Sequence, residues 1–199
     1  MLERIRQMGV SDRQVLRALG TADRKLFVAG QWQEQAYENG PLPIGFGQTI
    51  SQPYTVARMC ELLTGRGELR MKSDKVLEIG TGSGWQTCIL AKLFKLVYSI
   101  EMVPDLARRA ESTIRKLHLT NISIKTGDGK RGWVEYAPYN AIICGANADR
   151  IPEAWIKQIA SGGRIVCPVK GVMTRITKIP GSEYLKTEEF GEYSFVPLV

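Results

Sequence analysis

The stretch VLEIGTGSGWQT, residues 76–87, decides the fold. It runs an apolar strand into three glycines at every second position, Gly80, Gly82 and Gly84, and from there into a helical pattern. Glycine lets a chain turn sharply out of a strand and lets a ligand approach the backbone without meeting a Cβ atom. With a strand before and a helix after, the spacing points to a nucleotide-like ligand at the strand's carboxyl end. A dinucleotide fingerprint would place a third small residue at position 85, where helix and strand pack closely. This chain has Trp85 there, which argues against NAD.

Toward the carboxyl end, strands and helices alternate. Residues 97–100 read as a strand, Pro104 opens a helix whose Leu106, Ala110, Ile114 and Leu117 share one face, and residues 122–125 and 139–144 read as strands. Pro152 opens a further helix that Gly162 and Gly163 are expected to end, before a strand over 164–169. Strands joined through single helices pair in parallel by right-handed crossovers, so the expected class is α/β, an open, mostly parallel sheet with helices on both faces. The tail changes character, with β-rich pieces around 174–179 and 193–198 expected to add antiparallel strands.

Toward the amino end, Ser11 with Gln14 has capping-box spacing ahead of a helix over 12–19, and another helix is expected after Thr21. Residues 31–47 lose periodicity and gain Gly40, Pro41, Pro43, Gly45 and Gly47, a long loop of the kind that carries function. Ser51 suits an N-cap and Pro53 a first turn; Val56, Met59, Cys60 and Leu63 then follow at helical spacing until Gly65.

With 199 residues and 44% apolar content, the chain reads as one domain able to bury its own core. Its parts are an N-terminal helical extension with a substrate loop (1–70), a ligand-binding α/β core (71–170) and a C-terminal β segment (171–199). The first thirty residues carry charges in every turn, so neither a secretory signal nor a membrane span is supported. Four widely spaced cysteines, without metal-ligand spacing, read as free thiols in a reducing cytoplasm, and no metal site is expected. The net charge of +7 is spread along the chain and identifies no partner.

Two strand ends beyond the glycines carry further polar groups. Glu101 stands where a carboxylate can accept both hydroxyls of a ribose, and Gly127-Asp128-Gly129 follows the third strand. Glycine loop, Glu101 and Asp128 would then surround the amino acid portion, the ribose and the adenine amino group of S-adenosyl-L-methionine.

Several stretches in order carry a resemblance: Leu42-Pro43-Ile44-Gly45, Gly47-Gln48-Thr49-Ile50-Ser51-Gln52-Pro53-Tyr54, residues 76–87, Gly127-Asp128-Gly129 with Trp133, Ala137-Pro138-Tyr139, Gly162-Gly163, and Phe195-Val196-Pro197-Leu198. Together they resemble the bacterial-type protein-L-isoaspartate O-methyltransferases, whose fold is the Rossmann-like class I methyltransferase fold. The resemblance implies methyl transfer from S-adenosyl-L-methionine to the free α-carboxylate of isoaspartyl residues in damaged proteins, the first step of their repair. It implies a cofactor set of Glu78, Gly80, Thr81, Gly82, Ser83, Gly84, Glu101, Met102, Asp128 and Gly129.

For the acceptor, Ser51 is the expected catalytic residue, its hydroxyl and the free N–H groups at the helix start holding a carboxylate as helix N-termini hold anions. The resemblance places the family's active serine there. Thr49 and Ile50 join it as substrate-binding residues, and a terminal strand around Val196 would offer backbone groups to an extended peptide. A carboxylate is ionised at neutral pH, so no general base is required, and His118, the only histidine, is expected to take no direct part.

The expected partners are isoaspartyl peptides and proteins met by a monomer, with neither nucleic acid nor membrane. An RNA methyltransferase would share the cofactor half, but the fourth strand leads into Gly145-Ala146-Asn147 instead of an Asn/Asp-Pro-Pro-aromatic run. The same run departs from the Thr- and Ala-rich segment usual in the resembled family.

Overall fold

The computed structural model describes residues 1–65 and 74–199. The boundary drawn at residue 70 lies outside the described residues. Five parallel strands form the centre of a seven-stranded sheet: β3 (Lys75–Ile79), β4 (Leu96–Glu101), β5 (Ile122–Thr126), β6 (Tyr139–Cys144) and β7 (Ile159–Val169). β8 (Val172–Lys178) and β9 (Leu185–Glu192) extend it antiparallel, giving the order β5-β4-β3-β6-β7-β8-β9. A separate two-stranded hairpin pairs β1 (Leu42–Gly45) with β2 (Gln48–Ile50).

Strand period two divides the core. Val76, Val97, Ala141, Ile143 and Val166 face one apolar layer, shared with α1 (Leu2–Gln7), α2 (Arg13–Gly20), α3 (Pro53–Thr64), α4 (Trp85–Leu93) and α5 (Pro104–Lys116). Leu77, Ile79, Tyr98, Ile100, Ile142, Cys144, Ile165 and Cys167 face the other, which Trp155 of the short α6 (Glu153–Gln158) helps to cover. Both faces of the central strands are buried, which is why they read as continuous apolar runs in the sequence. The chain steps outward from β3 to β4 and β5, then returns to β6 on the other side of β3. That reversal opens a crevice at the carboxyl ends of β3 and β6, where ligands of open α/β sheets bind.

Several local expectations are corrected. The N-cap of α2 is Asp12, which accepts from the N–H groups of Gln14 at 2.8 Å and Val15 at 3.1 Å. Ser11 is drawn away by buried Glu61 of α3, whose Oε1 accepts its N–H at 2.8 Å. The segment after Thr21 forms a 3-10 turn, Arg24–Phe27, capped by Asp23. The long loop contains a second 3-10 turn, Gly30–Gln35, and the β1–β2 hairpin, whose tip runs through Gly45, Phe46 and Gly47 all at positive φ. α3 is capped at Gln52 and not at Ser51, because Pro53 takes the first helical position and the Ser51 carbonyl is held by Arg24.

α6 ends at Gln158, and Gly162 and Gly163 lie inside β7. The β6–β7 register slips between Tyr139 and Ala141, so this part of β7 bulges. Gly162 supplies the positive φ of 77°, while a Cβ at Gly163 would meet the carbonyl oxygens of Ala160 and Asn140 at 2.9 Å. The final strand is β9, and residues 193–198 do not continue it. Tyr193 donates to the Gly171 carbonyl at 2.7 Å, after which the chain crosses to the end of β6 and forms one bridge, Pro197 against Asn147. Among the described residues no helix is long and apolar enough to cross a membrane.

Candidate active site

The glycine loop leaves β3 by a hydrogen bond from the Gly80 N–H to the Ile100 carbonyl at 2.8 Å. Gly80, Gly82 and Gly84 have φ of 88°, 54° and 87°, a conformation that side chains disfavour. A Cβ at Gly80 would meet nothing within 4 Å, so the backbone there faces the open crevice. One at Gly84 would stand 3.1 Å from the Ala110 Cβ, so Gly84 brings the loop close against α5. Trp85 is thereby released from that duty. It is buried, and its indole N–H donates to the Ala22 carbonyl at 2.9 Å.

Glu78 lies beneath the loop and outside the crevice. Its Oε2 accepts from Thr87 and Ser99, both at 2.6 Å, and its Oε1 accepts from Gln86 at 3.1 Å. Ser99 in turn meets the Thr81 hydroxyl at 2.6 Å, tying the loop to the strands below. Burial pushes the Glu78 carboxyl up to about 7; hydrogen bonds from Ser99, Thr87 and Gln86 oppose the rise and the charge of Glu101 adds to it. Glu78 is therefore placed as a support for the loop.

Glu101 ends β4 with both oxygens anchored: Oε2 accepts the Gly82 N–H at 2.7 Å and Oε1 the Val103 N–H at 2.9 Å. A carboxylate so fixed keeps lone pairs for hydroxyl groups in the crevice. Ile79, Gly80, Gly82, Glu101, Met102, Gly129 and Gly145 line that crevice, and residues 196–199 lie along it. Asp128 stands beside it, half-exposed, accepting from the Lys130 N–H at 2.9 Å. Gly129 packs so tightly on Ile79 that a Cβ would collide with it.

Ser51 and Thr49 meet Gly80, Thr81, Gly82, Ser83 and Gly145 around a small cavity of about 50 Å³. The same two residues and Gly145 also line a groove of about 690 Å³, whose other wall is Phe190–Val196. Thr49, Ser51 and Gly145 thus stand at the junction of glycine loop and groove. The Ser51 hydroxyl makes no hydrogen bond among the described residues and is available. Ile50 is buried and lines the small cavity.

The groove is aromatic. Burial, with the neighbouring Tyr54 hydroxyl, pushes the Tyr193 phenol up to about 12. Phe190 lies between the guanidinium groups of Arg58 and Arg175, at 5.5 and 5.1 Å from its ring centre. Val196 borders both groove and crevice, but its carbonyl already accepts the Asn147 N–H at 2.7 Å. Residues 193–196, expected as part of a terminal strand, are irregular chain, and Val196 stands in the groove wall. Tyr54, Gly145 and Phe190 line the groove without having been expected as site residues; only the position of Gly145 after a central strand could have marked it. His118 is exposed past the end of α5 at φ 54°.

The model of the protein-L-isoaspartate(D-aspartate) O-methyltransferase family matches residues 1–199. The chain belongs to this family. The protein-L-isoaspartate O-methyltransferase of Halorhodospira halophila is 44% identical over 202 residues, spanning all of this chain and 90% of that one. Its counterpart in Methylobacillus flagellatus is 46% identical over 207 residues, with the same coverage of each chain. A solved Plasmodium falciparum structure, described as a beta-aspartate methyltransferase in complex with S-adenosyl-L-homocysteine, superposes with a TM-score of 0.83 at 23% identity. It covers 100% of this chain and 96% of its own, and shows the shared fold. Family and fold together make the chain an S-adenosyl-L-methionine-dependent methyltransferase that acts on isoaspartyl residues.

Proposed function

We propose that Ser51 and the crevice residues divide the methylation of isoaspartyl carboxylates between an acceptor side and a cofactor side. The observation that carries this reading is the sharing of Thr49, Ser51 and Gly145 by the peptide-sized groove and the cavity at the glycine loop. Gly80, Thr81, Gly82, Ser83 and Gly84 cradle the amino acid portion of S-adenosyl-L-methionine, and Glu101 accepts from its ribose hydroxyls. Met102, Asp128 and Gly129 border its adenine. The open space at Gly80 and the anchored Glu101 fit such a group.

The bound sulfonium supplies an electrophilic methyl group. The Ser51 hydroxyl holds the substrate carboxylate so that one oxygen faces that methyl; at the start of α3, Pro53 has no N–H and Asn39 takes that of Tyr54. When bound, the sulfonium would give up its methyl group to that carboxylate oxygen and keep the electron pair of the C–S bond. The acceptor oxygen arrives ionised, so no proton leaves it and the site requires alignment and dryness more than a base. Thr49 and Ile50 shape the junction, while residues 190–196, Val196 among them, supply the wall for an extended peptide. The buried free thiols accord with work in the cytoplasm. A monomer acting on isoaspartyl peptides and proteins, without nucleic acid, suffices for this reading.

Labelled S-adenosyl-L-methionine incubated with matched isoaspartyl and aspartyl peptides tests it. Label confined to the isoaspartyl peptide is expected, and equal label on both would defeat the assignment.

A further inference from the structure

Arg24 is fully buried, yet among the described residues no carboxylate pairs with it. Its guanidinium instead donates to main-chain carbonyls from two separate lengths of chain. Nη1 reaches Ala36 at 2.8 Å and Glu38 at 3.5 Å, and Nη2 reaches Gly40 at 3.0 Å, Ile50 at 3.4 Å and Ser51 at 3.0 Å. One face of the group lies 5.2 Å from the centre of the Trp85 ring, and Trp85 begins the helix that follows the glycine loop.

A buried cation without a counter-ion costs free energy, and that cost is offset only where several dipoles converge on it. Here the converging dipoles are the carbonyls that set the path of the chain into Ser51. Ile50 also pairs with Leu42 and packs in the core, but no other side chain bonds the carbonyl of Ile50 or Ser51 among the described residues, so the guanidinium is the polar tie between that backbone and the Trp85 end of the glycine loop. Lysine could keep the charge, but not a planar fork reaching both lengths of chain.

We propose that Arg24 is a positioning residue for methyl transfer: lying over the Trp85 ring and bonded to the carbonyls of Ile50 and Ser51, it sets the acceptor loop at a fixed distance from the cofactor loop. This rests on the assignment of Ser51 to the acceptor side. It makes no contact with the reacting groups and acts through the backbone of Ser51.

The test compares Arg24→Lys and Arg24→Gln with the unaltered protein by circular dichroism, by S-adenosyl-L-homocysteine titration, by isoaspartyl-peptide kinetics and by amide hydrogen exchange. The folded variants are expected to bind S-adenosyl-L-homocysteine within about twofold of the unaltered protein while kcat falls on the order of 100-fold, as misplacement by about 1 Å does. Amides of residues 48–52 are expected to exchange faster and those of 76–82 to stay unchanged. Turnover within about twofold of the original, an affinity that falls as far as kcat, or failure of both variants to fold would each overturn the proposal. Should the unaltered protein leave isoaspartyl peptides unmethylated, the functional reading fails separately. The exchange pattern then still decides Arg24: unchanged rates at 48–52 reject its role.

Discussion

The two halves of the site are built by different means. The cofactor half hangs on the ends of β3, β4 and β6 and is held by backbone bonds close to the motif, such as Gly80 to Ile100 and Gly145 to Ile79, the latter at 2.9 Å. The acceptor half is assembled from irregular segments far apart in the chain, and polar side chains tie it together. Arg24 holds 36–51, Asn39 accepts the Tyr54 N–H at 2.9 Å, Arg109 donates to the Ile44 carbonyl at 2.9 Å, and the Asn147 side chain accepts the Gly171 N–H at 2.7 Å. One half takes its precision from regular secondary structure, the other from single side chains. Substitutions should therefore separate the two.

The largest effect belongs beneath the glycine loop. Glu78 has a carboxyl raised from its ordinary 4.5 to about 7, so between those values the folded protein holds a proton that the unfolded chain has lost. Stability from this group is complete below pH 4.5 and is lost as pH rises through 7, by on the order of 3 kcal/mol in all. Urea unfolding of Glu78→Gln from pH 5 to 8 should show that slope removed. An unchanged slope would mean the cofactor loop does not rest on this group.

Glu101→Ala comes next. Two backbone N–H groups lose a charged acceptor and the crevice loses its carboxylate, so S-adenosyl-L-homocysteine should bind about 100-fold more weakly, or nearly 3 kcal/mol. Calorimetric titration measures this. A loss under about threefold would take Glu101 out of the cofactor half. Ser51→Ala should do the reverse, lowering kcat/KM for isoaspartyl peptide by about 10- to 30-fold while the cofactor constant holds. If both constants fell together, the two halves would not be separable at this residue.

The same division explains what the sequence made legible. Strands β3 to β6 were readable because burial on both faces writes itself as an apolar run, and the glycine loop because its glycines, the strand before them and the helix after them are contiguous in the sequence. The β1–β2 hairpin was hidden by Pro43, Gly45 and Gly47, which erase the period-two pattern in strands this short. Ser11 and Ser51 were each assigned as N-caps one residue early. Glu61, 50 residues on, and Arg24, 27 residues back, claim those two positions, and no local rule contains such partners. Gly162 resembles a helix stop because a bulge and a helix end make the same demand for positive φ. The path of residues 193–198 is fixed by Gly171 and Asn147 across the fold, so β propensity alone misplaced the final strand.

Asn147 gives the smallest and finest test. Its main chain bonds both ways with the terminal segment, donating to Val196 at 2.7 Å and accepting from Leu198 at 2.8 Å, and its side-chain Oδ1 accepts the Gly171 N–H at 2.7 Å. Asn147→Ala removes only the last of these, a neutral bond contributing about 1 kcal/mol, so the backbone bridge should survive. Gly171 also holds Tyr193, so freeing its N–H loosens the turn that anchors the groove wall. Peptide KM should rise about two- to fivefold with kcat and the cofactor constant nearly unchanged, because only binding shared by ground and transition states is touched. Val196 borders both the groove and the crevice, which sharpens the result. A matching loss of cofactor affinity would show that the terminal segment belongs to both halves, and that the division between them runs through Val196 instead of beside it.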